Sequence, residues 1–297
     1  MRRTCVALLA LAVVAVSPPP ASAWGLDIHR FITERAIGLL PDAIRPFYER
    51  HRAFVIEHSV DPDLWRTAGF EEEPPRHFLD LDAYGPYPFE ALPRDYQQAV
   101  ARHGEATVKK YGTLPWRVAE MQSRLVNGFR EVRDRSSPWA VEQVKFFSAV
   151  LAHYVADAHV PLHAVVNYDG QLTGQHGAHG RFETELFLRY RSRLHLEPVG
   201  RPPVRDPSGF IFDTLLDSFR RAAPLLEADR RAIAGGDFYD DAYFDRFFRD
   251  VRPILEEQLS KAMGGIAAVI VGAWEEAGRP PLPAEPLRPA MPRKRTP

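Results

Sequence analysis

Apolar positions recur at steps of three and four residues through most of this chain. After Pro115, the residues Val118, Met121, Leu125, Phe129 and Val132 fall on one stripe of a helix. The same period predicts helices over about Ile28 to Leu40, Asp95 to Tyr111, Pro138 to Asp157, Phe182 to Leu196, Phe210 to Ala234 and Asp240 to Ala277, with ends defined to about two to four residues. Strand alternation is almost absent, so the expected fold class is all-α. Proline-rich interruptions at Pro86 to Pro93 and Pro198 to Pro207 are short enough to be loops inside one domain, and no internal repeat is visible.

The two ends of the chain follow other rules. Arg2 and Arg3 precede an apolar run from Cys5 to Val16, three prolines and Ala21-Ser22-Ala23. That layout is a secretory signal peptide over residues 1–23, and its apolar run is too short for a transmembrane segment. The residues after the arginines fit a twin-arginine signal poorly, which favours the ordinary export route. Cleavage after Ala23 starts the mature chain at Trp24 and makes the protein secreted or periplasmic. From Arg279 to Pro297, seven of nineteen residues are proline, which predicts an extended, mobile tail. The helical domain is thus expected over residues 24–278.

At 297 residues, 45% apolar and 26% charged, the chain can bury a large core and is neither disordered nor collagen-like. Its formal charge of -1 falls to -3 once Arg2 and Arg3 are removed, so no global basic field attracts nucleic acid or an anionic membrane. The only cysteine, Cys5, leaves with the signal. Any metal in the mature chain must therefore be held by nitrogen and oxygen.

Those ligands are concentrated in one stretch. Of eleven histidines, five (His153, His159, His163, His176 and His179) fall within 27 residues. His153 and Asp157 stand at i and i+4 on an apolar helix and share a face. Alone, such a pair is more often a buried hydrogen bond than a metal site. A second pair, His179 and Glu183, and an intervening His163 after Pro161-Leu162 change that reading toward more than one metal, and nitrogen with oxygen suits zinc.

The segments from His153 through Asp157, His159 and Pro161 to His163, then His179-Gly-Arg-Phe-Glu183, with Trp24-Gly25 and His29 at the expected mature terminus, together resemble the zinc-dependent phospholipase C and S1/P1 nuclease superfamily. The resemblance covers most of the mature chain and implies a single all-helical domain with three zinc ions in a cleft. It further implies a first zinc on Asp63, His77, His153 and Asp157, and a second on His163, His179 and Glu183. The third would sit on the freed amine and carbonyl oxygen of Trp24 with His29, Asp157 bridging to the first. Asp61-Pro62-Asp63 offers two carboxylates; the resemblance favours Asp63, whose spacing to His77 and to Arg66 fits the family better, and also allows it as a general base. His159, two residues past Asp157, points off the ligand face and is expected to orient the site from behind. His176 is either a cleft-lining or a solvent-facing loop residue.

Three zinc ions against three carboxylates leave an electropositive cleft, suited to a phosphate ester. Zinc can lower the pKa of a water for in-line attack on phosphorus and stabilise the leaving alkoxide, so the expected reaction is phosphodiester hydrolysis. Glu183 as final ligand, together with the stretch Ala164 to Asn167, favours the phospholipase C-like branch. The five-residue step from Trp24 to His29 favours the nuclease. The tryptophan-alanine-aspartate and asparagine-leucine-histidine segments of the nucleases are missing. A non-catalytic zinc-binding protein is the remaining alternative, weakened by coordination positions left open for water. No protein partner is implied.

Overall fold

The computed structural model of the protein describes residues 25–283 apart from 235 and 237. The predicted signal segment, Trp24 and the tail beyond 283 lie outside the described residues. Within them every regular element is helical. In chain order these are α1 (Leu26–Ile37), α2 (Arg45–Arg50), α3 (Arg52–His58), α4 (Asp61–Thr67), α5 (Tyr96–His103), α6 (Glu105–Lys110), α7 (Leu114–Asp134), α8 (Ala140–Asp157), α9 (Ala178–Gly180), α10 (Leu186–Tyr190), α11 (Pro207–Ile233) and α12 (Asp241–Glu276).

Helix α7 forms where its stripe predicts, with Pro115 in its first turn and Arg135 closing it in the left-handed conformation. Val118, Met121, Leu125, Phe129 and Val132 are all buried. Helix α8 lacks an exposed face over its C-terminal half: every residue from Ser148 to Asp157 is buried. A helix apolar all round belongs in the centre, and α8 packs against α1, α3, α7 and α12. The buried apolar side chains form one continuous core from Ile28 to Ala277. Asp206 and Asp240 start the two longest helices by accepting hydrogen bonds from the backbone N–H groups of Gly209 and Tyr243.

Three stretches differ from the sequence-based expectation. The helix expected from Asp95 to Tyr111 is two helices, because Gly104 takes a φ of 81° and turns the chain between α5 and α6. The helix expected from Phe182 to Leu196 is instead a π-helical turn, Arg181–Glu185, followed by α10 and a 3-10 turn, Arg191–Arg193. Helices α2, α3 and α4 are additional; each is at most seven residues long, too short to show a period.

The extended segment before α11 lies directly on α12, with the backbone N–H of Val204 donating to the carbonyl of Ala268 at 3.0 Å. A Cβ at Gly272 would come within 1.9 Å of the Val204 carbonyl oxygen. Gly272→Ala is therefore expected to destabilise the protein by about 1–3 kcal/mol, the usual range for overpacking. Thermal unfolding checks this: an unchanged Tm would mean that the segment can move aside freely.

Candidate metal centre

The centre is built on the last turns of α8. His153 donates from Nδ1 to the carbonyl oxygen of Ser59, 2.8 Å away, which leaves its Nε2 without a proton. That bare nitrogen lies 3.3 Å from Oδ2 of Asp157, one turn on, and 3.1 Å from Nδ1 of His77. Helix α1 stacks the His29 ring on that of His153 at 3.8 Å and brings its Nε2 to 3.4 Å from Oδ1 of Asp157. His77 ends the 3-10 turn Pro74–His77, tied down by the Leu79 N–H donating to the His163 carbonyl at 2.9 Å.

Helix α4 supplies the last member of this half and separates its two aspartates in space. Asp61 pairs with Nδ1 of His58 at 2.8 Å, outside the centre. Asp63 is buried, with Oδ1 4.0 Å from His77 Nδ1 and 3.1 Å from the Arg66 guanidinium.

The second half stands on the turn after α8. Proline at 161 opens a 3-10 turn, Pro161–Ala164, that aims His163 back at the helix it follows. Its Nδ1 is 3.9 Å from Oδ1 of Asp157, and its Nε2 is 3.2 Å from Nε2 of His179 and 3.6 Å from Oε1 of Glu183. His179 donates from Nδ1 to the Tyr168 carbonyl, so its Nε2 too is bare where it meets Glu183 Oε1 at 2.8 Å.

Eight of the nine residues singled out from the sequence thus come together, and Trp24 lies outside the described residues. They form three groups whose ligand atoms all lie within 4.8 Å of one another: Asp63, His77 and His153; His29, His153 and Asp157; His163, His179 and Glu183. His153 belongs to two of them.

Could these side chains satisfy one another without a cation? Two imidazoles have their protonated nitrogen committed elsewhere, so lone pairs of nitrogen and carboxylate face each other in a buried site. Among the described residues, both ring nitrogens of His29, Oδ1 of Asp157, Nδ1 of His163 and Oε2 of Glu183 have no hydrogen-bond partner. Buried orphans of this kind are costly. Bound divalent cations satisfy them, and five imidazoles with three carboxylates suit zinc.

The protein groups alone are strongly coupled. Burial would raise the Asp157 carboxyl, but the imidazoles of His153, His29 and His77 packed around it hold it well below the carboxylate range. Glu183 receives less compensation, and burial pushes it up to about 7. Burial lowers His163 far below the usual imidazole value, which keeps it neutral and able to coordinate.

Sequence reasoning missed Glu73. It is buried, accepts hydrogen bonds from the Tyr154 hydroxyl and from Arg76, and lies 3.6 Å from Nε2 of His77, on the side away from the centre. Burial opposes its ionisation, yet these donors hold it down at about 2, so a carboxylate backs the His77 ring. The four-residue step from Glu73 to His77 was the available signal. His159 corrects an expectation: it does not back the ligands. Its Nδ1 donates to the Val155 carbonyl, and its ring packs against Phe210 and Gly265. Burial in that apolar setting lowers it to about 4. His176 is exposed and offers its carbonyl to Arg181.

Among the described residues no helix is long and apolar enough to cross a membrane. No individual curated protein matches the chain. A family model described as zinc dependent phospholipase C does, over residues 28–245. That span is more than half of the chain and takes in every described residue of the centre, and the chain belongs to the zinc-dependent phospholipase C family.

Proposed function

We propose that the protein hydrolyses the phosphodiester bond between a phospholipid's diacylglycerol and its head group, in one catalytic domain over residues 24–278 that is exported after cleavage of residues 1–23. The observation that carries this reading is the convergence of bare imidazole nitrogens and carboxylate oxygens in three adjoining groups. His29, Asp63, His77, His153, Asp157, His163, His179 and Glu183, with the terminus of Trp24, would hold three zinc ions. Zinc supplies an activated water and a Lewis acid for the phosphoryl oxygens. The chain's own residues set the geometry. Asp157, central to the cluster, fixes the separation of its two halves. Asp63, buried beside Arg66, would take the proton from the attacking water.

The surroundings favour a lipid over a polynucleotide. Leu64 follows Asp63, and Tyr168 lies with its ring 6.4 Å from that of His179; both are about half exposed, and Phe70 and Leu172, nearby in sequence, are exposed still further. Exposed apolar side chains beside a catalytic cluster suit an aggregated lipid surface. The deciding experiment loads the mature protein with zinc and offers phosphatidylcholine vesicles and single-stranded DNA side by side. Head-group release without DNA cleavage is expected. The opposite preference would make the protein an S1/P1-type nuclease, and neither activity in fully loaded protein would leave a non-catalytic zinc-binding protein.

A paired substitution tests Asp63. Asp63→Asn is expected to lower kcat by about a hundredfold or more, in line with loss of a general base or metal ligand. Asp61→Asn loses only a partly exposed contact with His58 and should stay within about twofold of wild type. Equal effects in steady-state assays would exclude Asp63 from both roles.

A further inference from the structure

Behind the His179–Glu183 pair lies a buried ion pair outside the ligand set. Asp229 on α11 is completely buried. Its carboxylate accepts from Nε of Arg181 at 3.0 Å, with Nη2 of the same guanidinium in ion-pair contact at 3.0 Å, from Nε2 of Gln175 at 2.7 Å and from the Tyr243 hydroxyl. Arg181, two residues before Glu183, is almost as buried, and the Tyr239 ring covers its outer face at 3.9 Å. A buried ion pair is weak evidence for stability, because desolvation offsets much of the attraction. Its connections point to another role.

The remaining hydrogens of Arg181 are spent on the loop that leads into His179. Nη1 donates to the His176 carbonyl at 2.7 Å and Nη2 to the Gln175 carbonyl at 3.0 Å. Gln175 is anchored a second time, through Nε2 to the Leu226 carbonyl on α11. The same loop carries Tyr168, whose carbonyl fixes the tautomer of His179, and Asp169, whose carboxylate accepts from the backbone N–H groups of Gly177 and His179. Asp229 orients Arg181, Arg181 holds the loop, and the loop aims Nε2 of His179.

We propose that Asp229, acting through Arg181, is a positioning residue for the His163–His179–Glu183 group, and for that group selectively. This rests on the reading that these three side chains hold zinc. The other two groups are oriented from different elements, through the Ser59 carbonyl and through Glu73.

The test uses the full mature chain and reads zinc content, zinc release to a graded chelator and the Tm of the metal-depleted protein. Asp229→Asn is expected to weaken the hold on one ion about 10- to 100-fold, as loss of an outer partner typically does, and to leave the others at wild-type affinity. Tyr243→Phe removes a donor to Asp229 and the hydroxyl that accepts from Nε of Arg181 at 3.0 Å, and should weaken the same ion by a smaller factor. Should Asp229→Asn fail to fold, the double variant Arg181→Met with Asp229→Leu leaves no unpaired buried charge and removes the same clamp; the same selective loss is expected. Wild-type affinity for every ion in either folded variant would overturn the proposal, as would a uniform weakening of all ions. A wild-type chain that takes up no zinc would instead remove the ligand reading beneath it.

Discussion

Asp157→Asn is expected to abolish turnover and to release more than one zinc ion per chain. Its two carboxylate oxygens face different partners: Oδ1 looks toward His29 and His163, and Oδ2 toward His153 and His77. An asparagine has the same shape but no charge, and its NH2 would face either bare nitrogens or the second cation. Loss of affinity should exceed the roughly hundredfold upper end seen for changes outside the ligand shell. Metal analysis decides the matter independently of activity. A variant that retains its full zinc content would take Asp157 out of the bridging position.

Removal of metal should be as costly to the fold as to the reaction. Buried carboxylates and lone pairs in contact repel unless cations lie between them, and binding free energy adds directly to folding free energy. For free zinc at a thousand times its Kd, one site contributes about 4 kcal/mol. At about 2–4 °C per kcal/mol for a chain of this size class, Tm should fall by roughly 10 °C or more on complete chelation. Re-addition of zinc should restore both Tm and turnover. A melting curve unaffected by chelator, with the zinc shown to be gone, would mean that the apolar core from Ile28 to Ala277 is self-sufficient.

How much of this was readable beforehand depends on the range of the interaction. The long helices and the His153–Asp157 pair follow from spacing alone, because one turn of helix places i and i+4 together. His179 and Glu183 have the same spacing although the backbone between them passes into a π-helical turn. Asp61 and Asp63 could not be separated by any local rule: what distinguishes them is His58, which captures one and leaves the other to the centre. His159 departs from its helical projection because the helix ends at Asp157 and the Val155 carbonyl draws the ring toward α11 and α12. Glu73 and Asp229 act across 81 and 48 residues, on Tyr154 and Arg181 respectively, and no periodicity reports such pairs.

The position of α12 sets the order in which the protein is put together. This last helix packs on α1 and on α8, which carry His29, His153 and Asp157, and so forms the wall behind the first ligands in the chain. On a ribosome, those ligands emerge long before the helix that shields them from water. Contacts between the first and last helices require closing most of the chain into a loop, and such distant pairings form late. A nascent chain can display every histidine of the centre and still lack the dry enclosure that makes them a selective site. Ion capture is then a closing event of folding and not its nucleus, unlike the small domains that collapse around their metal.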